Sequence, residues 1–388
     1  MMILAFQLAA IAVGCAFFTW LVMHWALVPW RRSAGQHWAE RARLLWTARR
    51  TAVWCALACA SLGMFTVWKW AGDLPPYVTI PVLVAGLMLG CFPYSREIEP
   101  RYTFGTWARQ TAWQLVVQFG LIGIGIGLLV SMPDVMDAAA WGRVAAGFGI
   151  SALILSGAWL PLVMRAKHSS ADLTSMQERL ERITAEAGQV SGVRPRHIWL
   201  ARTPIPNAAA LPFVNAVLFT TRAMEVLDDD ECRAIMLHEM EHLTEPLSVR
   251  LTRLFGAMGF LTFVFVNPVL HAWGGLGVVG LFAVFVILQR LINLLRRRME
   301  HRADHAAIGG AGETSPVYAR ALEKLYEAGQ LPAVMPGKSM VHPHLYDRMV
   351  QAGVTPDFPR PAAPARFSRP GLLCLALAAT GYVMLLWP

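Results

Sequence analysis

Eight apolar runs constrain this chain more than any other feature. They fall at about 3–29, 51–71, 77–93, 112–131, 141–164, 254–271, 276–294 and 372–387, and a helix needs about 20 apolar residues to cross the hydrocarbon core of a bilayer. Lipid offers no hydrogen-bond partner, so each run must satisfy its own backbone as an α-helix. Only 15% of the 388 residues are charged, where soluble domains carry about 25%. That shortage excludes a soluble enzyme, a disordered chain and a disulfide-stapled secreted module. The expected class is a mainly α, polytopic membrane protein with about eight transmembrane helices.

The net charge of +9 reads as topology. Its 34 Lys and Arg flank the apolar runs and do not form one basic stripe interleaved with aromatics, so no nucleic-acid partner is expected. The first loop holds Arg31, Arg32, Arg41, Arg43, Arg49 and Arg50 against Glu40, whereas 72–76, 132–140 and 272–275 contain no basic residue. Basic loops stay cytoplasmic, which puts both termini outside and two long polar stretches, 165–253 and 290–369, inside. The mildly Arg- and Ala-rich composition points to a bacterial inner membrane. Five of the six cysteines fall in apolar runs and none forms a CxxC pair, so no disulfide or thiolate-metal framework is expected.

The expected division is a five-span membrane domain at 1–165, a first catalytic part at 166–253, a transmembrane hairpin at 254–294, a second catalytic part at 295–370 and a last span at 371–388. Within 166–253, Leu173, Met176, Leu180 and Ile183 recur at helical spacing before Gly188, an amphipathic helix. His197–Ala201 and Val214–Thr221 read as short strands. Asp228-Asp-Asp-Glu231 then supplies a capping box for a helix through Leu243.

That helix carries His238-Glu239-Met240-Glu241-His242. Residues four apart share a helix face, so both imidazoles can bind one Zn²⁺ while Glu239 reaches a water on the metal. A catalytic zinc needs a third protein ligand and an open position. The next ligand-rich helix, Glu300-His301-Arg302-Ala303-Asp304-His305, lies 58 positions after His242, with two apolar runs between, so both helices emerge on one side of the membrane. Glu300 can bind the metal with Asp304 accepting from an imidazole ligand, and His301 with His305 is an equally spaced rival pair. Spacing alone does not choose.

The order of motifs is more specific. HExxH, an apolar hairpin and Glu-His-Arg-Ala-Asp, preceded by Pro206-Asn207-Ala208 and followed by His342-Pro343 with Arg348, resembles the integral-membrane zinc metalloendopeptidases typified by the type I CAAX prenyl protease and the heat-shock membrane protease. The resemblance covers roughly 195–350, and the five runs before HExxH look more like the prenyl-protease branch. It implies a cytoplasmic α+β zincin-like (gluzincin) domain with a small sheet, one Zn²⁺ per chain held by His238, His242 and Glu300, and Asp304 bonded to an imidazole. Glu239 is then the general base, Asn207 and His342 the oxyanion donors, and Arg348 an anchor of the His-Pro loop to a carboxylate. Glu241 departs from the pattern, standing where a small residue is common. The signal-transducing zinc proteases of β-lactam resistance share the chemistry and form an alternative.

From the residues themselves, the run from Asn215 through Val217 and Phe219 to Thr221 is an edge-strand candidate for pairing an extended substrate, with a core strand as the plain alternative. A substrate held so is cut inside its chain. The partners expected are therefore a polypeptide, chiefly a membrane protein, and the bilayer. A non-catalytic zinc-containing scaffold and a transporter are the competing classes; no apolar run carries a clear mid-membrane acid, which ion coupling would usually need.

Overall fold

The computed structural model describes residues 2–70, 76–165, 171–309, 315–336 and 343–386. In chain order the elements are α1 (Met2–Arg32), α2 (Trp38–Trp70), α3 (Pro76–Ile98), α4 (Phe104–Ser131), α5 (Ala138–Ser156), α6 (Leu160–Arg165) and α7 (Ala171–Ser191). Strands β1 (His197–Ala201), β2 (Ala208–Leu211) and β3 (Ala216–Thr220) follow, then α8 (Thr221–Val226), α9 (Asp229–Leu243) and α10 (Leu247–Ala257). A 3₁₀ turn at Gly259–Phe265 leads into α11 (Val266–Gly309), and α12 (Ser315–Gly329), α13 (Leu345–Gln351) and α14 (Arg369–Leu386) complete the chain.

Among the described residues six helical segments are long and apolar enough to cross a membrane: Ala5–Arg32, Trp38–Val67, Val78–Ile98, Phe104–Ser131, Ala138–Ser156 and Gly259–Gly309, with Arg369–Met384 a shorter apolar helix. The basic stretch read as the first loop is helical from Trp38. Arginine is a good helix former, so Arg41 to Arg50 extend α2 beyond its apolar part instead of breaking it.

The chain folds as two compact units. The first comprises Met1–Gln110, Gly329–Gly337 and Asp357–Pro388. In it α1 lies against α3 through Gly86 and Gly90, a GxxxG pair: a Cβ on Gly86 would sit 2.5 Å from the Ala12 carbonyl oxygen, and one on Gly90 2.5 Å from that of Ala16. Such close backbone approach is how helices pack where lipid removes the hydrophobic drive. α14 runs along α2, fixed at one end by Thr51 Oγ1 and Ser368 Oγ at 2.6 Å.

The second unit, Thr111–Ala328 with Lys338–Pro356, holds the polar stretches. Leu128 of α4 and Ala140 and Val144 of α5 pack with Met258, Leu261 and Val264 around the 3₁₀ turn. The sixth and seventh apolar runs form a hairpin. Gly274 leaves helical geometry at φ 62°, ψ −159°, and residues on its two sides face each other. The Phe263 and Phe285 rings are 4.9 Å apart, Gln289 Nε2 donates to the Gly256 carbonyl at 2.9 Å, and Gly256 abuts Ile292. A φ of +62° is open to glycine and strained for residues with a Cβ, so the reversal is written at that position.

The sheet has the order β1-β3-β2, with β1 parallel and β2 antiparallel to β3. β3 is central: Val217 and Phe219 are fully buried and both its edges are paired, while Asn215 occupies the β2–β3 turn at φ 49°. The edge-strand role expected for Asn215, Val217 and Phe219 is thereby corrected. The edges belong to β1 and β2, and the Ala-Ala-Ala-Leu sequence of β2 has little β-propensity of its own, so its extended form rests on pairing with β3.

Candidate active site

α9 is the platform. Its capping box forms as the spacing predicts: Glu231 N–H donates to Asp228 Oδ1 at 2.9 Å and Asp228 N–H to Glu231 Oε2 at 3.0 Å. Cys232, Ile235, Met236 and Met240 turn one face onto Leu180, Ile183 and Ala187 of α7, all buried. Each large apolar side chain so buried contributes about 1.5–3 kcal/mol. The face that carries His238 and His242 meets α11.

α11 brings up Glu300, which is 4% exposed, and turns His301 and His305 to solvent. Of the two pairs the spacing leaves open, the one with Glu300 is the pair brought to the two imidazoles. His238 Nε2 is 3.9 Å from Glu300 Oε2 and His242 Nε2 is 3.8 Å from Glu300 Oε1. The three residues form the group among the described residues able to hold a metal ion. Zinc with N and O ligands at about 2.0–2.2 Å in tetrahedral geometry separates its ligand atoms by about 3.3–3.5 Å; the two His–Glu separations need a few tenths of an ångström of contraction to reach this, and all three donor atoms lie within 4.8 Å of one another.

Both imidazoles are aimed by their other nitrogen. His238 Nδ1 lies 2.9 Å from Tyr318 Oη and 3.2 Å from Asp304 Oδ1. Tyr318 donates its own proton to Asp304 at 2.7 Å, and Arg348 donates Nε to Asp304 Oδ2 at 3.0 Å and Nη2 to Tyr318 at 2.6 Å. With these oxygens as acceptors, the His238 proton sits on Nδ1 and leaves the Nε2 lone pair toward Glu300. Burial pushes the Tyr318 phenol well up, which keeps it a donor. Burial disfavours the charged Arg348, yet Tyr318 and Asp304 hold its pKa above the ordinary value.

His242 has an independent partner. Its Nδ1 donates to Glu245 at 2.8 Å, and Arg253 Nη1 bonds both Glu245 oxygens at 2.6 and 2.7 Å. Burial raises the Glu245 carboxyl, but His242 and Arg253 outweigh it and hold the pKa below normal. Tyr318 and Glu245 are absent from the sequence reading. Replacing Glu245 with Ala is expected to weaken zinc binding about 10–100-fold, measured by competition with a chromophoric chelator; an unchanged affinity would refute the orienting role.

Glu239 points to the sheet. Its Oε2 accepts the Ala210 N–H at 2.7 Å, on the side of β2 turned away from β3. Asn207, the residue before β2, has its backbone fixed by Thr220 at both N–H (2.9 Å) and C=O (3.0 Å), leaving an exposed side chain. Arg250 fastens the other end of the strand, donating Nη1 to the Pro212 carbonyl at 2.7 Å and Nε to that of Glu245 at 2.8 Å. Glu241, the departure from the family pattern, pairs with Arg302, which also bonds the Glu241 carbonyl and Thr244. Its charge thus ties the end of α9 to α11. Arg348 anchors α13 to Asp304, while His342 lies outside the described residues.

Comparison with known proteins converges on the same segment. A family model described as Peptidase family M48 matches residues 173–353. The chain is 27% identical over 224 residues to "Protease HtpX homolog" of Thermoplasma volcanium, covering 52% of this chain and 70% of that protein. It is 25% identical over 186 residues to "Protease HtpX homolog" of Methanothermobacter thermautotrophicus, covering 46% and 70%. Residues 173–353 carry the likeness to Peptidase family M48, and with its apolar helices and its buried His-His-Glu triad the chain is a membrane metalloprotease.

Proposed function

We propose that the protein is a zinc-dependent endopeptidase embedded in a bacterial inner membrane, which cuts membrane or membrane-associated polypeptides on the cytoplasmic side. The observation that carries this reading is the meeting of His238, His242 and Glu300 beside Glu239, which itself touches the edge strand β2. One Zn²⁺ at the triad supplies Lewis-acid polarisation of a scissile carbonyl and acidifies water toward neutral pH. Glu239 takes the proton of the attacking water on a carboxylate oxygen and returns it to the leaving amine. Asn207, exposed beside β2, and His342 donate to the developing oxyanion. The outer edge of β2 pairs the substrate in extended form, and a chain held along its length is cut internally.

In this reading the apolar segments make eight crossings with both termini outside. Residues 1–165 supply five, the hairpin 254–294 two and 371–388 one, leaving 166–253 and 295–370 as the two halves of the cytoplasmic catalytic domain. The even number between HExxH and Glu300 brings the ligands to one side, in keeping with the reversal at Gly274. Asp304 and Arg348 hold His238 in place and do not touch substrate.

The test is metal content and casein cleavage of the purified full-length chain. Wild type is expected to hold about one zinc per chain, and Glu300→Ala to lose both the metal and the cleavage. Retention of stoichiometric zinc by Glu300→Ala would reject Glu300 as ligand; a wild type without zinc would reject the reading.

A further inference from the structure

The cysteines, scattered in sequence, converge in space. Five of the six lie on α1, α2, α3 and α14, and all are free thiols. Cys55 and Cys374 are fully buried and Cys15 and Cys59 nearly so, in one cluster with Val22 and Ala58. The thiols neighbour one another in a chain, Cys15 beside Cys59, Cys59 beside Cys55, and Cys55 beside Cys374. A hydroxyl is set against two of them: Thr19 Oγ1 of α1 is 3.6 Å from Cys59 Sγ and 3.7 Å from Cys55 Sγ. Beside them a cavity of about 440 Å³ opens, lined by Phe6, Gln7, Phe18 and Leu62 with the thiol-bearing Cys15 and Cys59.

We infer that Cys55 and Cys59 form a two-thiolate site for a soft monovalent cation of the copper(I) class, flanked by Cys15 and Cys374 and reached through this cavity. Residues four apart on α2 present both sulfurs to one side of the helix. Thiolate sulfur selects copper(I) over the harder ions that carboxylate and carbonyl oxygens prefer, and no carboxylate lines the cavity among the described residues. Binding exchanges two thiol protons for one cation, giving a linear S–Cu–S unit with one net negative charge and releasing two protons. A charge in apolar surroundings is costly unless a donor meets it. The Thr19 hydroxyl, which accepts from the Cys55 thiol and lies 3.6 Å from Cys59 Sγ, turns donor to one of the two sulfurs once their protons have left. Cysteines that merely fill space between helices need neither a shared hydroxyl nor an opening.

The experiment titrates purified full-length protein in detergent with copper(I), under reductant and without oxygen, against a chromophoric copper(I) chelator. Wild type is expected to take up one equivalent with near-ultraviolet sulfur-to-copper absorption. Cys55→Ala/Cys59→Ala abolishes that signal, Thr19→Val weakens binding about tenfold, and Cys232→Ala, outside the cluster, changes nothing. If the double variant fails to fold, judged by thermal unfolding without copper, Cys59→Ser and Thr19→Val read the same site. Uptake no greater than that of the double variant, copper bound without the sulfur signal, or a disulfide found by thiol counting would each overturn the inference.

Discussion

Glu239→Gln is expected to lower casein cleavage about 10²–10⁴-fold, the usual contribution of a positioned general base, while zinc content and thermal stability stay at wild-type level. Glu239 is not among the three residues of the metal triad, so the amide leaves the ligand set whole. The Ala210 N–H that Glu239 Oε2 accepts finds an amide oxygen of the same shape in the variant, so the strand and the helix keep their contact. What vanishes is the ability to hold a proton between water attack and amine departure. Parallel measurements of metal content and turnover separate this from a ligand loss. A variant that cleaves casein at more than a tenth of the wild-type rate would dismiss Glu239 as the base.

Arg348→Met is expected to cost about 3–5 kcal/mol of stability, the range for removing one partner of a buried ion pair. The Arg348 and Asp304 side chains are 5% and 2% exposed. Methionine leaves the buried Asp304 carboxylate facing Tyr318 and His238 without its cation. The loss should appear as a fall in unfolding midpoint in denaturant. Pairing it with Asp304→Asn should cost less than the sum of the two single changes, because the orphaned charge is then gone. A single-variant loss below about 1 kcal/mol would mean that the pair is not the anchor of α13.

What could be read from the chain follows the range of the interactions. α9 was legible to its ends because cap, helix and HExxH are local: Asp228 and Glu231 bond each other three residues apart, and the ligands share one face. From spacing Glu300 was legible only as one of two pairs, since Glu300/Asp304 and His301/His305 have equal spacing and adjacent faces, and the order of motifs alone favoured it. Burial against α9 decides between them, and burial is tertiary. β2 was hidden by its alanines, which carry little strand signal, so the run of β3 read as an edge candidate as readily as a core strand. Glu245 escaped because it follows the end of α9 and returns to His242 only through the turn before Pro246. Nothing in the spacing of α12 marks Tyr318, which is defined by what it touches.

The reversal at Gly274 has a consequence for metal affinity. His242 and Glu300 are 58 positions apart, and joining the ends of an unstructured segment of that length would set a loop-closure entropy against the metal that grows with the logarithm of the length. Here the intervening chain is a hairpin whose legs are already zipped by Gly256 on Ile292 and by Gln289 on the Gly256 carbonyl. The ion therefore meets ligands whose encounter has been settled in folding, and the hold of the site on its metal is set in part by small residues between two apolar helices, far from any atom that binds it.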